Sequence, residues 1–127
     1  MDSDVQKWVD SSTYDIETAE AMINSERLLY VVFCCQQALE KILKAKVTQV
    51  TLKLPPKTHD LIQLSGLANI QLDNKKQLFY NQLTAYYIES RYPDEIGELA
   101  KRLNKETAQS YLTRTKSEIA WIKSLLK

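Results

Sequence analysis

Apolar side chains recur along this chain at intervals of three and four, a spacing that divides it into helices joined by short polar links. Val5, Val9, Ser12, Ile16, Ala19 and Ile23 form one narrow stripe and predict a first helix from about Asp4 to Ser25. The stretch from Leu28 to about Gln49 is more apolar. At about 100° per residue, Val31, Cys34, Cys35, Ala38, Leu39, Ile42, Leu43 and Ala45 cover roughly half its circumference, which marks it as the central core helix. The other half carries Gln36, Gln37, Glu40, Lys41 and Lys44, together with the aromatics Tyr30 and Phe33. Aromatic rings on a polar face need cover from a loop or from a partner subunit.

LPPKTHDL, residues 54–61, breaks this pattern: the Pro55-Pro56 pair is expected to stop the second helix and to hold Leu54 extended. Thr58 is placed to cap a short helix starting near His59, with Asp60 in the first turn where the helix dipole favours an acid, and Gly66 is expected to end it. Asp73 can cap the next helix, which runs to about Ser90 and buries Phe79, Leu83 and Tyr86, with Tyr80 and Tyr87 on its flanks. In RYPD, residues 91–94, Pro93 cannot sit inside that helix and so terminates it, leaving Asp94 to cap a brief helix through Lys101. Asn104 can cap the last helix, whose stripe is Ala108, Leu112, Thr115, Ile119, Ile122 and Leu126. Trp121 and Leu125 fall off that stripe, and an off-stripe Trp points to a second contact surface. The expected fold is all-α: an up-and-down bundle of four long helices with one or two additional short ones, in one domain over residues 1–127.

Composition supports this reading and narrows the function. The 127 residues are 44% hydrophobic and 26% charged, enough for one core, and 2 Gly with 3 Pro leave little material for tight hairpins. The N-terminal MDSDVQKWVD has no basic flank or apolar core of a signal peptide, and no apolar run approaches a membrane span, so a cytoplasmic protein is expected. Cys34 and Cys35 are helical neighbours pointing in different directions and read as small buried hydrophobes. One His without a second Cys cluster gives no zinc pattern, and no metal or cofactor is implied. Net charge is +1, but it is segregated. Residues 1–26 hold seven acids against Lys7, and residues 101–127 hold seven bases against Glu106 and Glu118. Opposite signs favour packing the first helix near the last, while a basic C-terminal face could also attract phosphates.

Catalytic motifs are sparse. The glycines, Gly66 and Gly97, make no phosphate loop, and no Cys-His or Ser-His-Asp motif is present. What remains is a set of phosphate-compatible side chains: Gln37, Lys41 and Lys44 on one side of the second helix, His59 after the Pro-Pro turn, and Arg91 at the end of the helix that RYPD closes. Each also has a plain structural role, as a solvated face, a capping turn or a cation at a helix C-terminus.

Four segments carry a family resemblance: Trp8 in an acidic first helix, VFCCQQALEKILKA (32–45), KTHDLIQL (57–64) and ESRYPD (89–94). In this order, over nearly the whole chain, they resemble the HEPN family, the higher eukaryotes and prokaryotes nucleotide-binding domain. That resemblance implies a helical bundle, a homodimer, and a minimal nucleotidyltransferase as partner in toxin-antitoxin-like pairs. It marks Tyr92, Pro93 and Asp94, with Thr58 and Asp60, as motif positions. Many members are metal-independent ribonucleases whose motif is an Arg followed four to six residues later by His. Here Arg91 is followed by Tyr92 through Leu99 without a His, and His59 precedes it. Three readings follow. The first is a dimeric, non-catalytic module binding a nucleotide, phosphate or nucleotidyltransferase through Arg91, His59, Lys41, Lys44 and Gln37. The second is a ribonuclease toxin in which His59 and Arg91 replace the usual motif, with His as the base near neutral pH. The third is a dimerisation domain whose Tyr30, Phe33 and Trp121 serve interfaces.

Overall fold

The computed structural model describes residues 1–127 as six helices: α1 Ser3–Asn24, α2 Leu28–Thr51, α3 Leu61–Leu67, α4 Asn74–Glu89, α5 Pro93–Arg102 and α6 Lys105–Ser124. The long helices α1, α2, α4 and α6 make the bundle, and the short α3 and α5 occupy the links on either side of α4. Caps set most boundaries. Carboxylate oxygens of Asp2, Asp60 and Asp73 and the side-chain oxygen of Asn104 accept first-turn backbone N–H groups of α1, α3, α4 and α6.

Several ends differ from the sequence reading, for local reasons. Helix α2 ends at Thr51 because Leu52 turns left-handed at φ 59°, three residues before Pro55, so the Pro-Pro pair follows the stop instead of making it. Asp60, not Thr58, caps α3, and His59 lies outside that helix, because the Asp60 carboxylate reaches the N–H groups of Ile62 and Gln63. Thr58 instead accepts from the Asp60 N–H and donates to Gln63 Oε1. Gly66 sits within α3; the chain turns at Asn69, φ 57°, where the Ile70 N–H reaches the Ser65 carbonyl and the Asn69 N–H that of Gly66. Tyr92 is the N-cap of α5, with Pro93 in its favoured first helical position and Asp94 in the first turn.

Helix α2 touches each of the other five helices. Leu39, Ile42 and Leu43 are fully buried on it, each worth roughly 1.5–3 kcal/mol. Encirclement also corrects its polar half: Gln36, Glu40 and Lys44 are buried, while Cys34 is only half-buried. Ser12 allows α1 close approach and donates to the Ala38 carbonyl at 2.7 Å. Lys116 and Glu20 pair at 2.6 Å and join α6 to α1, the contact that the charge segregation favours.

Side chains, not close backbones, join α4 to α6. Phe79 stacks on Tyr111 with ring centroids 5.7 Å apart. Glu118, buried on α6, accepts from Tyr80 Oη at 2.8 Å, from Lys76 Nζ at 2.9 and 3.0 Å, and from Arg114 Nε at 3.3 Å. This explains why Tyr80 is buried rather than flanking: its hydroxyl has an acceptor in the core. Tyr87 is buried too, and Tyr86 only partly. Trp121 packs on the core with Lys76 Nζ 3.9 Å from its ring centre, so it is engaged within the chain. No helix is long and apolar enough to cross a membrane.

These buried groups set measurable expectations for stability. Glu118→Ala strands Lys76, Arg114 and the Tyr80 hydroxyl and is expected to cost about 3 kcal/mol in urea unfolding, whereas Tyr80→Phe costs about 1 kcal/mol; an alanine variant as stable as the parent would refute the network's role. Burial raises the Cys35 thiol from 9.0 to about 12 and lifts Tyr80 far above 10.0. Above pH 9 the folded chain therefore keeps protons that the unfolded chain releases. The contribution of these two groups to stability should be constant below pH 9 and fall as pH rises towards 12, by about 1 kcal/mol per pH unit for Cys35. Urea midpoints that stay level from pH 8.5 to 11 would contradict this.

Candidate functional site

Gln36, Glu40 and Lys44 stand one helical turn apart on α2 and form a single row beneath the segment that carries His59. Gln36 Nε2 donates to the His59 carbonyl at 3.0 Å and contacts Glu40 Oε1 at 3.2 Å. Gln37 Nε2 in turn donates to Gln36 Oε1 at 2.7 Å. The segment following Pro56 is thus pinned through its backbone to the core helix. Lys44 Nζ supplies Glu40 Oε2 at 2.9 Å and lies 5.5 Å from the centre of the Trp8 ring.

The remaining donor to Glu40 is His59, whose Nδ1 lies 2.8 Å from Oε1. Because a carboxylate accepts, this contact puts the ring proton of a neutral imidazole on Nδ1 and the lone pair on Nε2. The His59 side chain is 43% exposed, and Nε2 has no hydrogen-bond partner in the protein.

Tyr87 connects this imidazole to Arg91. The His59 ring tilts against Tyr87 at 4.6 Å between centroids, and Arg91 Cζ lies 5.5 Å from the centre of the same ring. Tyr87 lies in the last turn of α4, and Arg91 follows two residues after the helix ends, in the turn that brings its guanidinium to the Tyr87 ring. RYPD completes the turn, with the Arg91 N–H reaching the Ile88 carbonyl and the Tyr92 N–H that of Glu89. Phe33 of α2 stacks on Tyr87 at 5.3 Å and 20°, and Tyr30 meets Phe33 edge-on at 6.4 Å.

Of the phosphate-compatible residues read from the sequence, His59 and Arg91 each lie against the Tyr87 ring, and Gln37 and Lys44 join the row around Glu40. Lys41 does not: its Nζ pairs with Asp15 of α1 at 2.7 Å. Phe33 finds its cover within the chain, while Tyr30 and Tyr92 remain 60% and 58% exposed. Sequence reasoning missed Gln36 and Tyr87. The four-residue row was visible in the sequence, but its direction was not, and Tyr87 is one tyrosine among neighbours. A cleft of about 710 Å³ lies elsewhere, between the start of α1 and the end of α2, where Val5, Trp8, Leu52 and Leu54 line it. Its shape is roomier, but it holds neither the imidazole nor the guanidinium. Chemistry favours the surface at His59: the guanidinium can hold a phosphate, and the imidazole lone pair can remove a proton.

A family model described as the HEPN domain matches residues 5–125. No curated protein matches the chain. Among solved structures it is similar to the crystal structure of TT1696 from Thermus thermophilus, with a TM-score of 0.78 and 20% identity over 96% of this chain and 98% of that one. That likeness is one of fold.

The Glu40 contact is open to a direct check by nitrogen NMR of the ring. Neutral His59 should show the Nδ1–H tautomer, and Glu40→Ala should return it to the Nε2–H form that free imidazole prefers; an Nε2–H ring in the parent protein would remove the outward lone pair.

Proposed function

Because this chain belongs to the HEPN domain family, we propose that it is a nucleotide-binding module whose phosphate is held by Arg91 and His59 over Tyr87. The observation that carries this reading is the convergence of the half-exposed imidazole and the exposed guanidinium on one aromatic ring. Arg91 offers a forked set of donors suited to phosphate oxygens. His59 is held at Nδ1 by Glu40; its Nε2 accepts a proton when the ring is neutral and donates to a phosphate oxygen when the ring is protonated. Lys44 contributes indirectly, as a counter-charge to Glu40, and Lys41 is not part of the site. The homodimer and minimal nucleotidyltransferase partner implied by the family resemblance belong to the same reading. Ile88, Tyr92 and Ile96, exposed beside the site, offer apolar contact area for a subunit.

A second reading, RNA cleavage without a metal, is favoured by the fixed tautomer of His59. In that reaction Nε2 takes the proton of a 2′-hydroxyl, the freed oxygen attacks the adjacent phosphorus, and the bond to the 5′-oxygen breaks as that oxygen takes a proton from solvent, giving a 2′,3′-cyclic phosphate and a 5′-hydroxyl. Arg91 stabilises the charge that builds on the phosphoryl oxygens. The Arg-to-His spacing of the family's ribonucleases is absent, so this chemistry rests on the spatial pair alone.

Isothermal titration with AMP, ATP and GTP tests the binding reading. Arg91→Ala is expected to weaken the bound nucleotide by about tenfold, the equivalent of one charge-assisted hydrogen bond, with little change in melting temperature. A folded protein that gives no heat with any of the three sinks it. Cleavage of a short RNA by the parent protein, lost in His59→Ala, would establish the second reading.

A further inference from the structure

Tyr30 differs from the other rings around the site. Tyr87 is buried and Phe33 half-buried beneath it, whereas Tyr30 is 60% exposed. Its only ring neighbour is Phe33, met at 76°, so no ring lies parallel to it and a face stays open to solvent. Its hydroxyl makes no hydrogen bond within the protein, and none of the cations that sit over other rings sits over this one. An aromatic ring braced at one edge by Phe33 but otherwise uncovered is costly in water and suited to a flat partner.

Its position gives that partner a chemistry. From Tyr30 the centroid steps are 6.4 Å to Phe33 and 5.3 Å to Tyr87, the ring shared by His59 and Arg91. An open aromatic face therefore lies two ring steps from the ring that carries the imidazole and the guanidinium. We infer that Tyr30, backed by Phe33, is the platform on which the base of a nucleoside phosphate stacks while its phosphate meets Arg91 and His59. This rests on the proposed phosphate role of those two residues and adds to it a base subsite. Stacking recognises a π-face and not an edge pattern, so the subsite tolerates any base, and the ligand is either a free nucleotide or an unpaired nucleotide of an RNA strand. Tyr30 is then a binding residue and not a subunit contact.

Titration of the full chain separates these points, with AMP, ribose 5-phosphate and tri-adenylate as ligands. The parent protein should bind AMP about tenfold more tightly than ribose 5-phosphate, the difference being one base stacked on one ring. Tyr30→Ala should erase that preference while leaving ribose 5-phosphate affinity, melting temperature and oligomeric state unchanged, and Tyr30→Trp should restore it. Tri-adenylate binding more tightly than AMP, with the excess lost in Tyr30→Ala, identifies a strand; equal affinity identifies a free nucleotide. A preference that survives Tyr30→Ala, or a parent protein that binds both small ligands equally, overturns the platform and leaves the phosphate reading standing. Loss of oligomeric state in Tyr30→Ala makes the ring a subunit contact and also overturns it. Failure of the parent protein to bind any of the three overturns both.

Discussion

Glu40 occupies a position where the fold leaves no freedom: it lies on the helix that every other helix touches, and its carboxylate is withdrawn from water. A buried carboxylate must be matched by donors, because an unmatched one costs several kcal/mol. Gln36 and Lys44 come from the same helix, one turn before and one turn after, and His59 comes from the link after Pro56. Through the last of these contacts the demand of one core group fixes a loop. The same Gln36 that supports Glu40 also holds the His59 carbonyl, so side chain and backbone of the loop are set together.

Glu118 obeys the same rule with a different result. Its oxygens are supplied by Lys76, Arg114 and Tyr80, and these donors close over it and tie α4 to α6. Because its donors come from both helices, the network is a stabilising device. Around Glu40, by contrast, one donor is an imidazole with a second nitrogen left over and a side chain partly in solvent. Two buried carboxylates of similar construction thus differ in what their donors join: Glu118 ties two helices together, and Glu40 fixes a loop that carries a half-exposed imidazole.

The RYPD turn supplies the other half of the surface. Pro93 ends the possibility of continuing α4, and the turn before it leaves Arg91 one helical turn beyond Tyr87. The guanidinium is therefore delivered to the same ring that receives His59, although the two residues are 32 positions apart in the chain. Phe33 and Tyr30 extend the ring system outward along α2. A cationic end and an aromatic end follow from the meeting of α2, α4 and one loop.

The period of the apolar residues sufficed to place the helices, because burying a stripe is a local demand repeated every turn: Val5 to Ile23 and Ala108 to Ile122 could be read directly. Caps such as Asp73 and Asn104 were legible for the same reason, as each acts within three residues. Misplaced ends, at Thr58, Gly66 and Leu52, arose where two neighbouring residues could each do the work. HEPN family membership was likewise readable from QQALEK, THDL and RYPD taken together. What the sequence could not contain was direction. Gln36, Glu40 and Lys44 look like a solvated row until five helices surround α2, and Lys41, one residue from Glu40, turns to Asp15 instead. The meeting of His59 with Arg91 on Tyr87 was settled only by the tertiary fold, because it depends on how three separate segments pack and not on any spacing along the chain.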